Sequence, residues 1–414
     1  MDEELMKRLE TLGVRRGLPA DKPARPPSSS FWRVEKVIPG GRFWPDHSRS
    51  TFILEHIYPP DYQHGKKSLR ISPRDRVYPG FFDGNPEINH EHLLFLDVET
   101  SSLSPGSGTL IFLVGLGYWG LEGYHSHQVF LNDPTEELSF LAYLDDWINR
   151  FPVLVTFNGR AFDLPVLNHR FLINGIRSKI LEKPHVDVLH LARRLWRKRF
   201  PSRRLGFLEN EVLGFVRDQN EIPSWMVPEI YQNYLVLGES NLLHGVFYHN
   251  EMDIVSLAGL FLYIESLFER PEWDRLLADE AYSLIREMEH QGHELLICFL
   301  QELTNNPRYW ATNDPETAPL WLLVGRIYKR HGRIFEALQC WEKAANLNSL
   351  EACLELSRYH EHLEHNYRDA LVWIDRAIAI LDTSASLKEK RQFSALSRRR
   401  LKLLTQLARR SHAT

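Results

Sequence analysis

The run Leu93-Leu-Phe-Leu-Asp97-Val-Glu99 constrains this chain more than any other stretch. Four apolar residues in succession read as a strand buried on both faces, inside a sheet with a layer on either side. Residues two apart on a strand share a face, so Asp97 and Glu99 converge while Val98 turns into the core. Two carboxylates side by side at the end of a buried strand are costly unless a cation compensates them. Hard oxygen donors in this arrangement suit Mg²⁺ or Mn²⁺. An isolated D-x-E reads more simply as two solvated acids at a turn, so the weight falls on what else the chain supplies.

Around this strand the pattern is mixed. Thr109 to Trp119 reads as a second strand and Gly123 to Leu131 as a third, with period-two alternation. Asp133-Pro-Thr-Glu-Glu opens a helix running to Arg150, with a capping residue, Pro in the first turn and acids next. Val153 to Asn158 is a fourth strand. Helical patterns follow around 163–174, 188–199 and 225–237, and a long amphipathic one over 248–269. Strands, a helix, then a strand with helices following make a mixed α/β domain.

Two further acids fall in this region. Asp163 starts a helix after the turn Asn158-Gly159, a position where Asp is most often a cap. Asp253 lies on the long helix among Ile254, Val255 and Leu257, where a carboxylate needs a partner; a metal is one candidate. Four carboxylates on a strand and two helices can hold two cations about 3.5–4 Å apart.

The order D-x-E, N-x-x-x-F-D-x-P, then an acid on a late helix resembles the DEDD exonucleases of the ribonuclease-H-like superfamily. It is similar to the proofreading domains of family B polymerases and to the YprB-type exonuclease family. The likeness covers roughly 90–270 and includes Phe95 to Ser104, Thr109 to Trp119, Thr156-Phe-Asn-Gly, His185 to Trp196 and His249-Asn250-Glu-Met-Asp253. It implies a ribonuclease-H-like fold, a mixed sheet flanked by helices. It also implies a two-metal Mg²⁺ or Mn²⁺ site on Asp97, Glu99, Asp163 and Asp253, with Asn158 as a supporting or substrate contact. Asp187 matches a further family acid, for which a structural hydrogen bond is the favoured role. The implied activity is 3′–5′ hydrolysis of DNA or RNA at a single-stranded 3′ end.

The general base is less straightforward. The family separates a Tyr by three intervening residues, or a His by four, from the last Asp; here His249 has the Tyr spacing and Tyr248 the His spacing. On a helix the i−4 position lies about 40° from Asp253 and i−5 about 140° away. Geometry therefore favours His249, with Tyr248 open if the chain is not yet helical there.

Seven cations fall between Arg193 and Arg204 with no acid among them, interleaved with Trp196 and Phe200. Arg197 and Arg199 are the candidate phosphate contacts of such a patch, with an aromatic stacking on a base. The alternative is a solvated helix end with Trp196 in the core. Gly115-Leu-Gly117-Tyr-Trp-Gly120 mimics a dinucleotide loop, but a strand follows where a helix N-terminus is required, so a glycine-rich hairpin is expected. His360, His362 and His365 sit in a polar turn and are read as solvated.

Beyond Arg270 every segment reads helical. Ala337-Leu338 recurs as Ala370-Leu371 and Ala344 as Ala377, an offset near one tetratricopeptide unit. The expected organisation is an irregular N-terminal region at 1–90, an exonuclease domain at 91–270 and an all-α tetratricopeptide-like region at 271–414. Those repeats offer a surface for a protein partner. Net charge is −4, so any hold on a polyanion must come from local patches. Three late, widely spaced cysteines exclude a zinc knuckle or disulfide framework, and no segment reads as a membrane span or signal peptide. A cytoplasmic location is expected. Two non-hydrolytic readings stay in view: a nucleic-acid-binding module without turnover, and an interaction scaffold acting through the repeats.

Overall fold

The computed structural model describes residues 34–44, 51–71, 76–82, 88–102, 108–218, 221–238, 240–382 and 387–411. The Pro- and Ser-rich stretch at 22–30 lies outside them. Nine strands are present among the described residues: β1 Arg42–Trp44, β2 Thr51–Tyr58, β3 Gln63–His64, β4 Lys67–Ser68, β5 Leu93–Thr100, β6 Ile111–Gly120, β7 Gly123–Leu131, β8 Val153–Thr156 and β9 His185–Asp187. Seven of them form one sheet in the order β1-β2-β7-β6-β5-β8-β9. β5, β6 and β7 form an antiparallel meander, while β8 and β9 join β5 in parallel. β2 pairs with β7 from Thr51 opposite Leu131 to Tyr58 opposite Tyr124. Residues 42–44 and 51–58, grouped in sequence with the irregular region before 91, are thus strands of this sheet. Their pattern hides this, because Thr51-Phe-Ile-Leu is followed by Glu-His within one short strand.

Helices cover both faces. In chain order they are α1 Val34–Val37, α2 Glu137–Arg150, α3 Asp163–Ile173, α4 Val188–Leu195, α5 Leu205–Leu208, α6 Val227–Leu237 and α7 Leu243–Glu269. β5 is buried on both sides, as its apolar run requires. Phe95 joins the cluster under α7, and Leu94, Leu96 and Val98 join the cluster of α2, α3 and α6. A buried pair fixes α3 against α2: Arg170 Nε donates to Glu137 Oε1 at 2.6 Å, and Asn174 Nδ2 donates to Glu137 Oε2 at 3.0 Å.

α7 begins at Leu243, five residues before the sequence pattern places it. Most of its residues are buried, because the sheet lies on one side and α4, α5 and the following helix on the other. The glycines of the false dinucleotide motif explain the approach. β6 and β7 do form the expected hairpin through Gly120 and Gly123. Gly115 and Gly117 also face α7, and a Cβ at Gly115 would lie 2.6 Å from both Asn250 Oδ1 and Ile254 Cγ1. Gly115→Ala should therefore lift α7 from the sheet, lowering stability by about 1–3 kcal/mol in chemical denaturation. Unchanged stability would show that the helix is not seated through this contact.

The described residues that follow form helices: α8 Ala278–His290, α9 Leu296–Asn305, α10 Pro307–Trp310, α11 Ala318–Arg330, α12 Ile334–Asn346, α13 Leu350–His362, α14 Tyr367–Asp382 and α15 Leu387–Ser411. α11 to α15 stack each on the next, and α8 docks the series onto α4 and α7. Ala337, Ala344, Ala370 and Ala377 are fully buried between these helices, and a Cβ on Gly325 would overlap Trp341. The three cysteines are free. No helix among the described residues is long and apolar enough to cross a membrane.

Candidate active site

Asp97 and Glu99 leave β5 on the side of Phe95, directly beneath α7. Asn250, fully buried on α7, donates from Nδ2 to Asp97 Oδ2 at 2.9 Å, and its Oδ1 accepts from Gln128 Nε2 at 3.0 Å. Burial drives both β5 carboxyls well above the usual range, and the neighbouring charge of Asp253 adds to it.

Asp163 enters at the first turn of α3, after a turn built from unusual backbone. Asn158 adopts φ 70°, the left-handed region that asparagine tolerates. Gly159 sits where a Cβ would meet the Thr156 side chain at 2.4 Å. Asp187 holds this turn. Its carboxylate accepts from the backbone N–H groups of Asn158 at 2.8 Å, Arg160 at 3.2 Å and Leu189 at 3.1 Å, capping α4 as well. Asp187 thus has the structural hydrogen-bonding position expected of it. Asp163 is buried, and desolvation pushes its carboxyl up to about 7, with the charges of Asp187 and Asp253 acting in the same direction.

Both candidate bases lie within α7. Tyr248 is turned away: its hydroxyl accepts from the Asp218 backbone N–H at 3.0 Å. His249 faces the acids, with Nε2 3.5 Å from Asp253 Oδ2 and 3.9 Å from Glu99 Oε1. Its Nδ1 is 2.7 Å from Glu221 Oε1. Burial pulls the His249 pKa down, but the bond to Glu221 and the field of Asp253 outweigh it and raise it overall.

A group absent from the sequence argument joins them. Arg217 is nearly buried and pairs with Asp253, with Glu209 at 2.7 Å and with Glu221 at 3.1 Å. The partner that Asp253 requires is here a guanidinium. Arg217 comes from the loop after the π-helical turn Glu209–Leu213 and the left-handed Gly214, where no periodicity marks it.

Among the described residues, one group of ligand atoms could close on a metal ion: Glu99, His249 and Asp253, mutually within 4.8 Å. Asp97 and Asp163 lie outside that set but within electrostatic reach. Buried Asp97, Glu99 and Asp163 with raised pKa values, joined by Asp253 from α7, are a donor set that fits a hard divalent cation. The Asp163 value lies above its unfolded value, so its contribution to stability is complete below the ordinary 3.8 and is lost as pH rises through about 7. Without divalent ions, the melting temperature should fall over that window by roughly 2–4 °C per kcal/mol lost. Mn²⁺ should restore it more strongly at higher pH, where ligands are already deprotonated. A flat profile with and without Mn²⁺ in thermal melts would contradict this.

A groove of about 1100 Å³ opens beside His249 and Asp253, lined also by Asn158, Arg193, Arg203 and Arg204. Arg197 and Arg199 are absent from that lining. Arg199 pairs with Glu280 on α8, and Arg194 with Glu287. Trp196 and Phe200 are buried, so base stacking on them is excluded; they serve the core between α4, α5 and α7. The periodicity of a helix that stops at Leu195 could not show which cations its end turns outward. A larger hollow of about 1300 Å³ lies past Arg160 and Asp187 and touches none of the four candidate ligands. His360 pairs with Glu364 at 2.7 Å and His362 is exposed, so the C-terminal histidines are not gathered.

An RNase H superfamily model matches residues 94–264, the stretch that carries β5 to β9 and most of α7. The uncharacterized protein YprB of Bacillus subtilis is 32% identical over 312 residues, spanning 73% of this chain and 72% of that protein. A family B DNA polymerase from the archaeon Pyrobaculum calidifontis aligns structurally over 48% of this chain and 29% of its own, at a TM-score of 0.33 and 15% identity. The acid-bearing strand at the centre of the sheet, the acid on the helix crossing it and the identity to YprB agree: the chain belongs to the YprB family within the RNase H superfamily.

Proposed function

We propose that this protein is a metal-dependent 3′–5′ exonuclease acting on single-stranded DNA or RNA. The supporting observation is the convergence of Asp97, Glu99, Asp163 and Asp253 with His249 beside an arginine-lined groove. Asp97, Glu99, Asp163 and Asp253 would hold Mg²⁺ or Mn²⁺, which when bound supplies Lewis acidity to the attacking water and the leaving oxygen. His249 Nε2 takes the proton of that water. Its oxygen bonds to the scissile phosphorus, the bond to the 3′ oxygen breaks, and a 5′-mononucleotide leaves. Asn158, Arg193, Arg203 and Arg204 line the path of the strand, Arg203 and Arg204 opposite its phosphates. Arg197 and Arg199 would act farther along the chain, outside the groove.

The test is polarity. A single strand ending in a 3′ phosphorothioate linkage should resist degradation, whereas the same block at the 5′ end should not matter. Equal cutting of both, with internal fragments, would replace the exonuclease reading by an endonuclease. The hold of Arg217 on Asp253 favours one second reading, a binding module without turnover. It predicts strand binding that is insensitive to EDTA. The C-terminal stack α11 to α15 is proposed to act as a tetratricopeptide-like surface that recruits a protein partner.

A further inference from the structure

We propose that Glu221 is a positioning residue that fixes the tautomer and orientation of His249. The inference rests on the reading of His249 as the group that takes the water's proton. Glu221 Oε1 lies 2.7 Å from His249 Nδ1, and the carboxylate also accepts from Arg217 Nη1 at 3.1 Å. An ionised carboxylate can only accept, so at this distance Nδ1 carries the proton.

Arg217 does not reverse that assignment. Its Nη1 lies 3.4 Å from Nδ1 but is 3.1 Å and 3.3 Å from the two Glu221 oxygens, which take its protons. Nε2 then faces the acid cluster, 3.5 Å from Asp253 Oδ2 and 3.9 Å from Glu99 Oε1, with Ser224 Oγ 3.2 Å away. Glu221 and Ser224 bracket the ring from one loop, and Arg217 ties Glu221 to Asp253. Arg217, Glu221 and Ser224 together preset the base against the fourth acid. This is the orienting role a carboxylate plays for a catalytic imidazole.

The experiment is a double-mutant cycle on the full chain with single-stranded substrate and Mn²⁺. Glu221→Ala should lower kcat about 10–100-fold, with KM and Mn²⁺ affinity nearly unchanged. Glu221→Gln should recover most of the loss, because its amide oxygen still accepts from Nδ1. Added to His249→Ala, Glu221→Ala should cause no further loss. A full additional loss in that background, or a wild-type rate for Glu221→Ala, would overturn the proposal. Long-range ¹H–¹⁵N NMR at alkaline pH decides it independently of turnover. Wild-type His249 should be the Nδ1–H tautomer and the Glu221→Ala ring largely Nε2–H; an Nε2–H ring in wild type refutes the assignment. If wild-type protein cleaves nothing, the exonuclease reading fails while the NMR result still judges the pair.

Discussion

Asp163→Asn should abolish hydrolysis and, in the absence of metal, make the protein more stable. Asparagine keeps the shape at the start of α3 but removes a carboxylate that burial and neighbouring acids push up to about 7. A neutral isostere removes the cost of ionising a carboxyl in a desolvated site beside other acids, so stability should rise at pH values above about 7. A stabilising transition-state interaction lost from such a site costs about 10²–10³-fold in rate, and a metal ligand should cost at least that. The two changes in opposite directions distinguish a site residue from a structural one. Loss of both activity and stability would instead make Asp163 a structural residue at the start of α3. Calorimetry without divalent ions, beside a cleavage time course, reads both.

His249→Ala should lower the rate by about 10²–10⁴-fold while leaving the Mn²⁺-dependent rise in melting temperature largely in place. The remaining acids carry most of the negative charge that a cation meets. Tyr248→Phe should behave differently, because its hydroxyl is turned away from the acids and accepts from the Asp218 N–H. Loss of one such hydrogen bond costs about 1 kcal/mol and should leave the rate within a few-fold. The reverse pattern, with Tyr248 essential and His249 dispensable, would require α7 to unwind before Asp253. The crossed spacing of the two residues resolves on helix geometry, since only i−4 shares the face of Asp253.

What could be read ahead of the structure was whatever periodicity encodes. Strand alternation placed Asp97 and Glu99 on one face, and the long apolar pattern placed Asp253 on a buried helix. The need of Asp253 for a partner was legible too, with a metal as the candidate. That Arg217 meets it was not, because Arg217 follows a π-turn and a left-handed glycine. Glu221 was hidden for the same reason, as an acid in an irregular connection. Asn250 carried a usable signal: a polar side chain three residues before Asp253 on a helix otherwise buried. The basic run at 193–204 misled in part, since composition does not show that Arg194 and Arg199 turn toward the acids of α8. The small-residue offset of 33 did mark real packing positions, with Ala337 and Ala370 fully buried.

The most direct measurement is degradation of end-labelled single-stranded DNA and RNA by wild type and Asp163→Asn, with Mg²⁺, Mn²⁺ or EDTA. The account predicts a ladder shortening from the 3′ end with either metal, abolished by both EDTA and the substitution. No cleavage by wild type under any condition, or cleavage that persists in Asp163→Asn with EDTA present, would contradict it.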